Sequence, residues 1–229
     1  MDPIAGARSI RHPLARALLM LTFSTGLIDA ASYLGLGRVF TANMTGNVVL
    51  LGFGVVGSDG LPVVAPIVSL GAFLVGSAAG GAMATKIGEH HARPVARALG
   101  IEVGLVLASA IVVAATTVRP SILAGYGVIV LLALAMGVRN ATVRRLGVAD
   151  LTTTVLTSTL TGLAAESPVA RSSGEGSVRR IAAVLAMLSG AAAGALLLRI
   201  GLVAPLLVAA ALALVVAMTY VPGALARGD

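Results

Sequence analysis

Two short polar strings interrupt an otherwise oily chain, and their residue types are those that bind solutes or ions. The first is Thr41-Ala42-Asn43-Met44-Thr45-Gly46-Asn47 and the second Thr153-Thr154-Val155-Leu156-Thr157-Ser158-Thr159. Each follows an apolar segment that carries a Gly and, three residues on, a carboxylate or amide: Gly26/Asp29 and Gly137/Asn140. Asp29 stands 15 residues after Leu14, inside an apolar run, where its short side chain cannot reach either membrane face. A charge at the bilayer centre costs at least ~2.5–3.5 kcal/mol, so such residues face a cavity or a partner and often serve ions or protons. Asp29 is therefore expected to bind a cation or carry a proton, and the competing roles are a buried ion pair or a capping contact.

Asn43, Thr45, Gly46 and Asn47 precede a short helical run from Val48. A Thr or Asn there caps the helix and leaves amide donors and the positive dipole end at the motif. If the loop enters the membrane first, that end faces inward and suits an anion or polar solute. If the helix enters first, carbonyls face inward and suit cations. Spacing alone leaves that direction open. In the second copy Thr157 and Thr159 stand where Thr45 and Asn47 do, and Asn140 is the counterpart of Asp29. Arg139 has three readings: partner to Asp29, anion-binding group, or topology-setting charge. Glu102, near the start of an apolar run, is expected to snorkel or pair with an arginine, with proton coupling as the other reading. His12, His90 and His91 fall in loop-like segments and make no metal site, and no cofactor is expected.

The elements that position these residues follow from composition. The 229 residues are 58% hydrophobic, 11% charged and 3% aromatic, with mean hydropathy +1.01. Soluble domains carry about 25% charged residues. Apolar runs near 20 residues, rich in Ala, Leu and Val, make this an all-α polytopic membrane protein in the lipid bilayer, not an alternating β-barrel with aromatic girdles. The net charge of +7 is read as topology signal and not as nucleic-acid binding, since no basic helix with interleaved aromatics is present. The absence of cysteine excludes disulfides, thiol catalysis and Cys-ligated metals. The N-terminal basic residues and the run after them read as an uncleaved first span, too long for a signal peptide.

Apolar segments fall at about Leu14–Leu36, Val48–Val56, Pro62–Thr85, Ala96–Val118, Ser121–Val138, Leu160–Ala165, Ile181–Leu198 and Leu202–Val221. The second and sixth are too short to cross. If both are re-entrant and the N-terminus is cytoplasmic, 13 of the 16 basic residues lie inside, all but Arg38, Arg119 and Arg199. If both cross, the split is eight and eight. The positive-inside rule selects six spans plus two re-entrant half-helices, with both termini cytoplasmic. Irregular backbone at membrane depth needs shelter by protein or a water-filled cavity. GxxxG pairs at Gly76/Gly80 and Gly190/Gly194, and the endings Lys86-Ile87-Gly88 and Arg199-Ile200-Gly201, extend the duplication. The chain thus reads as one membrane domain, residues 1–229, with repeats 14–118 and 119–221. Three spans per unit invert the second against the first.

The string Gly26-Leu27-Ile28-Asp29-Ala30-Ala31-Ser32-Tyr33, followed by Val39 to Asn47, resembles the hallmark of the YoaK family, also called DUF1275. Met136 to Ala141 and Thr152 to Thr159 resemble its second family-like stretch. The chain departs from the family pattern at Arg139, where Gln is common, and at Thr157-Ser158, where Thr-Gly is common. The resemblance implies a small multi-pass protein of the bacterial cytoplasmic (inner) membrane and supplies no substrate. From the residues, the expected function is a transporter or channel for a small polar or ionic solute, with a midplane site and no enzymatic activity. The alternative is a non-transporting scaffold or accessory subunit, and homo-oligomerisation stays open.

Overall fold

The computed structural model describes residues 12–57, 60–84, 92–116, 123–146, 156–166 and 176–227. Among these, eight helices follow in order: α1 (Pro13–Gly35), α2 (Met44–Val55), α3 (Val64–Ala84), α4 (Ala92–Ala115), α5 (Leu123–Leu146), α6 (Leu156–Ala165), α7 (Ser177–Leu197) and α8 (Val203–Arg227). Six are long and apolar enough to cross a membrane, and α2 and α6 are not. The all-α expectation holds, with six long helices and two short ones. Pro13 opens α1, where its missing N–H removes no helical bond, and the His12 Nδ1 accepts from the Leu14 N–H at 3.3 Å. His12 is thus a helix cap and not part of a solvated loop.

Helix boundaries differ from the apolar runs in one instructive way. The run expected to end at Val138 continues as helix to Leu146, so Arg139 and Asn140 lie within α5. Arg139 is 2% exposed. It is a buried, paired charge, and the reading of it as a topology signal is set aside. Excluding it leaves 12 of the other 15 basic residues on the side assigned as inside.

The long helices divide into a centre and a periphery. α1 and α5 are 72% and 61% buried over their apolar windows, whereas α3 and α7 are each 22% buried. Large apolar side chains such as Leu74, Leu123, Leu188 and Val56 are exposed, as lipid-facing residues must be, since apolar surface carries no penalty in hydrocarbon. α3 packs along α5 and α1 along α7; α4 packs on α5 and α8, and α1 also on α8. Exchanging α1 with α5, α2 with α6, α3 with α7 and α4 with α8 leaves this set of pairings unchanged.

The two tightest crossings match residue by residue. A Cβ on Gly26 would lie 2.5 Å from the Met187 carbonyl oxygen and 2.6 Å from the Ala191 amide nitrogen. On Gly137 it would meet the Phe73 carbonyl oxygen, and the Ser77 amide at 2.7 Å. Met187 and Ala191 stand to Gly190 as Phe73 and Ser77 stand to Gly76. Without a hydrophobic force between helices in lipid, such backbone-to-backbone approach is the main source of helix association.

Candidate functional site

The first motif forms around Asp29. Its Oδ1 accepts from the Thr41 N–H at 3.2 Å and the Ala42 N–H at 2.9 Å. Asp29 lies six residues, about 9 Å of helix, before the end of α1, so these bonds hold the Thr41–Ala42 backbone that far inside the bundle. There the chain turns into α2. Asn43 caps it, its Oδ1 accepting from the Gly46 N–H at 3.2 Å. Asn47 in the first turn of α2 reaches Ser69 of α3, Nδ2 to Oγ at 3.3 Å. Further along α2, Gly54 sits against Val63 and the carbonyls of Leu61 and Pro62, at the entrance to α3. α2 therefore runs back towards the face at which α3 begins. The loop enters first and the helix returns, so the amide end of α2 faces the interior.

The expected ligand residues divide by what they already do. Asn47 is fully buried and spent on structure: its Oδ1 accepts from the Phe40 N–H at 2.9 Å while its Nδ2 donates to the Phe40 carbonyl at 2.7 Å. Ser69 Oγ donates to the same carbonyl at 2.7 Å. Together they satisfy the backbone of a loop that would otherwise carry unpaired groups at membrane depth. Gly46 has a steric role: a Cβ there would stand 2.9 Å from the Phe40 ring, which stacks on Tyr33 at 4.7 Å between centroids. Thr45 is exposed and has no side-chain bond among the described contacts.

A cleft of about 760 Å³ adjoins this loop, lined by Asp29, Tyr33, Asn43, Thr45, Gly46 and, from α6, Leu156 and Thr157. Phe73 of α3 and Met187 of α7, the matched pair at the two helix crossings, also line it. Asp29 is 4% exposed, and among the described residues its Oδ2 has no hydrogen-bond partner. Thr157 thus joins the first-copy residues Asp29, Asn43, Thr45 and Gly46 around one space.

Other expected residues lie elsewhere. Thr159 is buried in α6 and Asn140 is half-buried, its Nδ2 donating to the Met136 carbonyl at 2.8 Å; neither lines the cleft. Thr152, Thr153 and Thr154 fall outside the described residues, as do His90, His91 and Lys86. α6 ends against the start of α7, where Arg180 Nη1 donates to the Gly162 carbonyl at 2.9 Å and Nη2 meets Glu166 Oε2 at 2.6 Å. With Thr157 at the cleft and Gly162 at the entrance to α7, α6 repeats the orientation of α2. The sequence reading counted Arg180 only among the basic residues on the inside, because its carbonyl partner lies 18 positions back.

Arg139 serves a second polar site. Its Nη1 lies 3.1 Å from Glu102 Oε1 of α4 and donates to the Leu21 carbonyl of α1 at 3.2 Å; Nη2 donates to Thr25 Oγ1 at 3.1 Å. The guanidinium therefore fastens three helices. Glu102 is fully buried, which decides for the arginine-paired reading over snorkelling. A small cavity of about 20 Å³ borders the pair, enough for one water.

This geometry belongs to a chain with known relatives. The family model described as "Protein of unknown function (DUF1275)" matches residues 17–219. The chain belongs to the DUF1275 family. It is also 34% identical over 148 residues to the UPF0700 transmembrane protein YoaK of Bacillus subtilis (strain 168), covering 64% of each chain. The match spans less than two thirds of that relative's length. No solved structure matches. With six membrane-length helices and a transmembrane relative, this DUF1275 member is a multi-pass membrane protein.

Proposed function

We propose that the protein is a transporter or channel for a small polar or ionic solute, and not an enzyme. One observation carries this reading: a single cleft is walled by the starts of both half-helices, at Thr45 and Thr157, beside the buried carboxylate of Asp29. Polar groups and irregular backbone at that depth are sustained in lipid when they line a path. The interchangeable helix pairings and the matched glycine crossings support two repeats, residues 14–118 and 119–221. Each carries three long helices, so the repeats are inverted and the solute site lies between them, as in many secondary transporters. Basic-residue placement supports cytoplasmic termini in a bacterial inner membrane.

The test is tracer flux into proteoliposomes, with labelled alkylammonium, amino acid, carboxylate and polyol probes. Asp29→Asn keeps the Oδ1 acceptor for Thr41 and Ala42, so the loop is retained while the charge is lost. Flux of one probe class is expected, reduced at least about tenfold in the variant, equivalent to ~1.4 kcal/mol. No flux for any class, with a fixed partner copurifying, would replace this reading with the scaffold one.

A further inference from the structure

The lining of the cleft restricts the charge and shape of what it can hold. We infer that its solute is a small organic cation, an amine or alkylammonium group seated against Asp29; this rests on the transport site proposed above. Three observations carry it independently of one another.

The first is the sign of the charge. Among the described residues, those lining the cleft include one acid, Asp29, and no Lys, Arg or His. Among the described residues no ion pair reaches Asp29, and buried Arg139 is engaged by Glu102, Leu21 and Thr25. Arg139 acts on Asp29 only through space and does not line the cleft, so a free anion would sit against the carboxylate with no basic side chain in contact with it. The amide ends of α2 and α6 both open on the cleft and do not make it positive. Each amounts to about +0.5 charge and fades within the first turn, so together they at most balance the full −1 of Asp29. Of the α2 donors, the Met44 N–H is given to the Ala42 carbonyl and the Gly46 N–H to Asn43 Oδ1, and the Thr41 and Ala42 amides before the helix serve Asp29 itself.

The second is the unpaired oxygen of the carboxylate. Asp29 is 4% exposed, yet among the described residues no hydrogen bond reaches Oδ2. A buried carboxylate oxygen without a donor costs about 1–3 kcal/mol or more. A ligand N–H donor or positive group removes that cost, and a ligand acceptor does not.

The third is the aromatic content. The whole chain has seven aromatic residues, three Tyr and four Phe. Three of them, Tyr33, Phe40 and Phe73, line this cleft, with Met187 beside them. Ring faces attract ammonium groups, and an alkylated ammonium most effectively, because its desolvation is cheap. A bare divalent cation needs six or more oxygens. Here Asp29, Thr45 and Thr157 offer few, amid apolar and aromatic surface.

The experiment is direct binding to the purified full chain in nanodiscs, by calorimetry, using tetramethylammonium, ethylammonium, sodium, acetate and glycerol. The two ammonium probes are expected to bind, and acetate and glycerol not. Asp29→Asn should weaken ethylammonium by about 10- to 150-fold, the range for a hydrogen bond to a charged group. Phe73→Leu, which keeps apolar volume but removes a ring, should weaken tetramethylammonium by about 2- to 30-fold. Circular dichroism confirms that both variants remain folded. Acetate binding in place of ammonium, sodium binding unaffected by Phe73→Leu with no ammonium binding, or ammonium binding unchanged in Asp29→Asn would each overturn the inference. The two proposals fail separately. Ammonium binding without flux removes the transport reading alone, and flux of a carboxylate or polyol without ammonium binding removes the cation inference alone.

Discussion

Replacing Arg139 with Met is expected to destabilise the protein by about 3–5 kcal/mol, the cost of leaving one half of a buried ion pair uncompensated. The guanidinium is 2% exposed, forms an ion pair with Glu102 and hydrogen-bonds the Leu21 carbonyl and Thr25. Its removal strands the fully buried Glu102 carboxylate beside a cavity with room for about one water. Arg139→Lys should recover little, because one ammonium cannot span the donors of a planar fork. Replacing both partners, as in Glu102→Leu with Arg139→Met, should restore most of the loss, since an apolar pair of similar volume often matches a buried ion pair. Circular-dichroism melts in detergent read all three, and the signal is independent of the missing tryptophans. A double variant as unstable as Arg139→Met would show that the pair is not the source of the effect.

Gly26→Ala and Gly137→Ala should each cost about 3 kcal/mol, the upper part of the range for overpacking. Alanine's better helix propensity returns only about 1 kcal/mol. It cannot offset a Cβ set 2.5 Å from the Met187 carbonyl, or one driven into the Phe73 carbonyl, because these obstacles are backbone and cannot rotate away. Gly104→Ala and Gly127→Ala provide the contrast. Both lie within helices, and a Cβ on either meets nothing within 4 Å, so each should stabilise by about 0.5–1 kcal/mol. The comparison also bears on the duplication. Equal losses at Gly26 and Gly137 are expected if the crossings are equivalent, and a large loss at only one would break the correspondence.

Much of this fold is legible in the sequence, for a simple reason. In lipid a helix must satisfy its own backbone, so length and hydropathy alone identify the six long helices. The boundary at Val138 fails because a lone arginine imitates the end of a span. Only Glu102, 37 positions earlier, turns Arg139 into an interior residue, and no local spacing reports a pairing between α4 and α5. The site divides the same way. That a Thr or Asn caps α2 is readable from the polar string, but which one is not. The helix, expected from Val48, begins at Met44, so Asn43 is the cap and Thr45 to Asn47 form the first turn. The direction of α2 is not readable either, because it is fixed by Asp29 holding the amides of Thr41 and Ala42 across 12 and 13 positions. Asn47 looks like a ligand by residue type and is spent on Phe40 and Ser69, a use that depends on where α3 packs. Asn140 matches Asp29 in sequence but bonds back to its own helix, so the two copies carry unequal chemistry.

The most direct measurement of the polar path is thiol accessibility at its two walls, simplified by a chain without native cysteine. Thr45→Cys and Thr157→Cys, made separately in oriented vesicles, should both react with a membrane-impermeant thiol reagent, since both residues line the cleft. Arg38→Cys, in the exposed turn after α1, is the positive control. If the thiols introduced at Thr45 and at Thr157 both stay unreactive from either side while the control labels, the cleft is closed to water and the polar-path account is wrong.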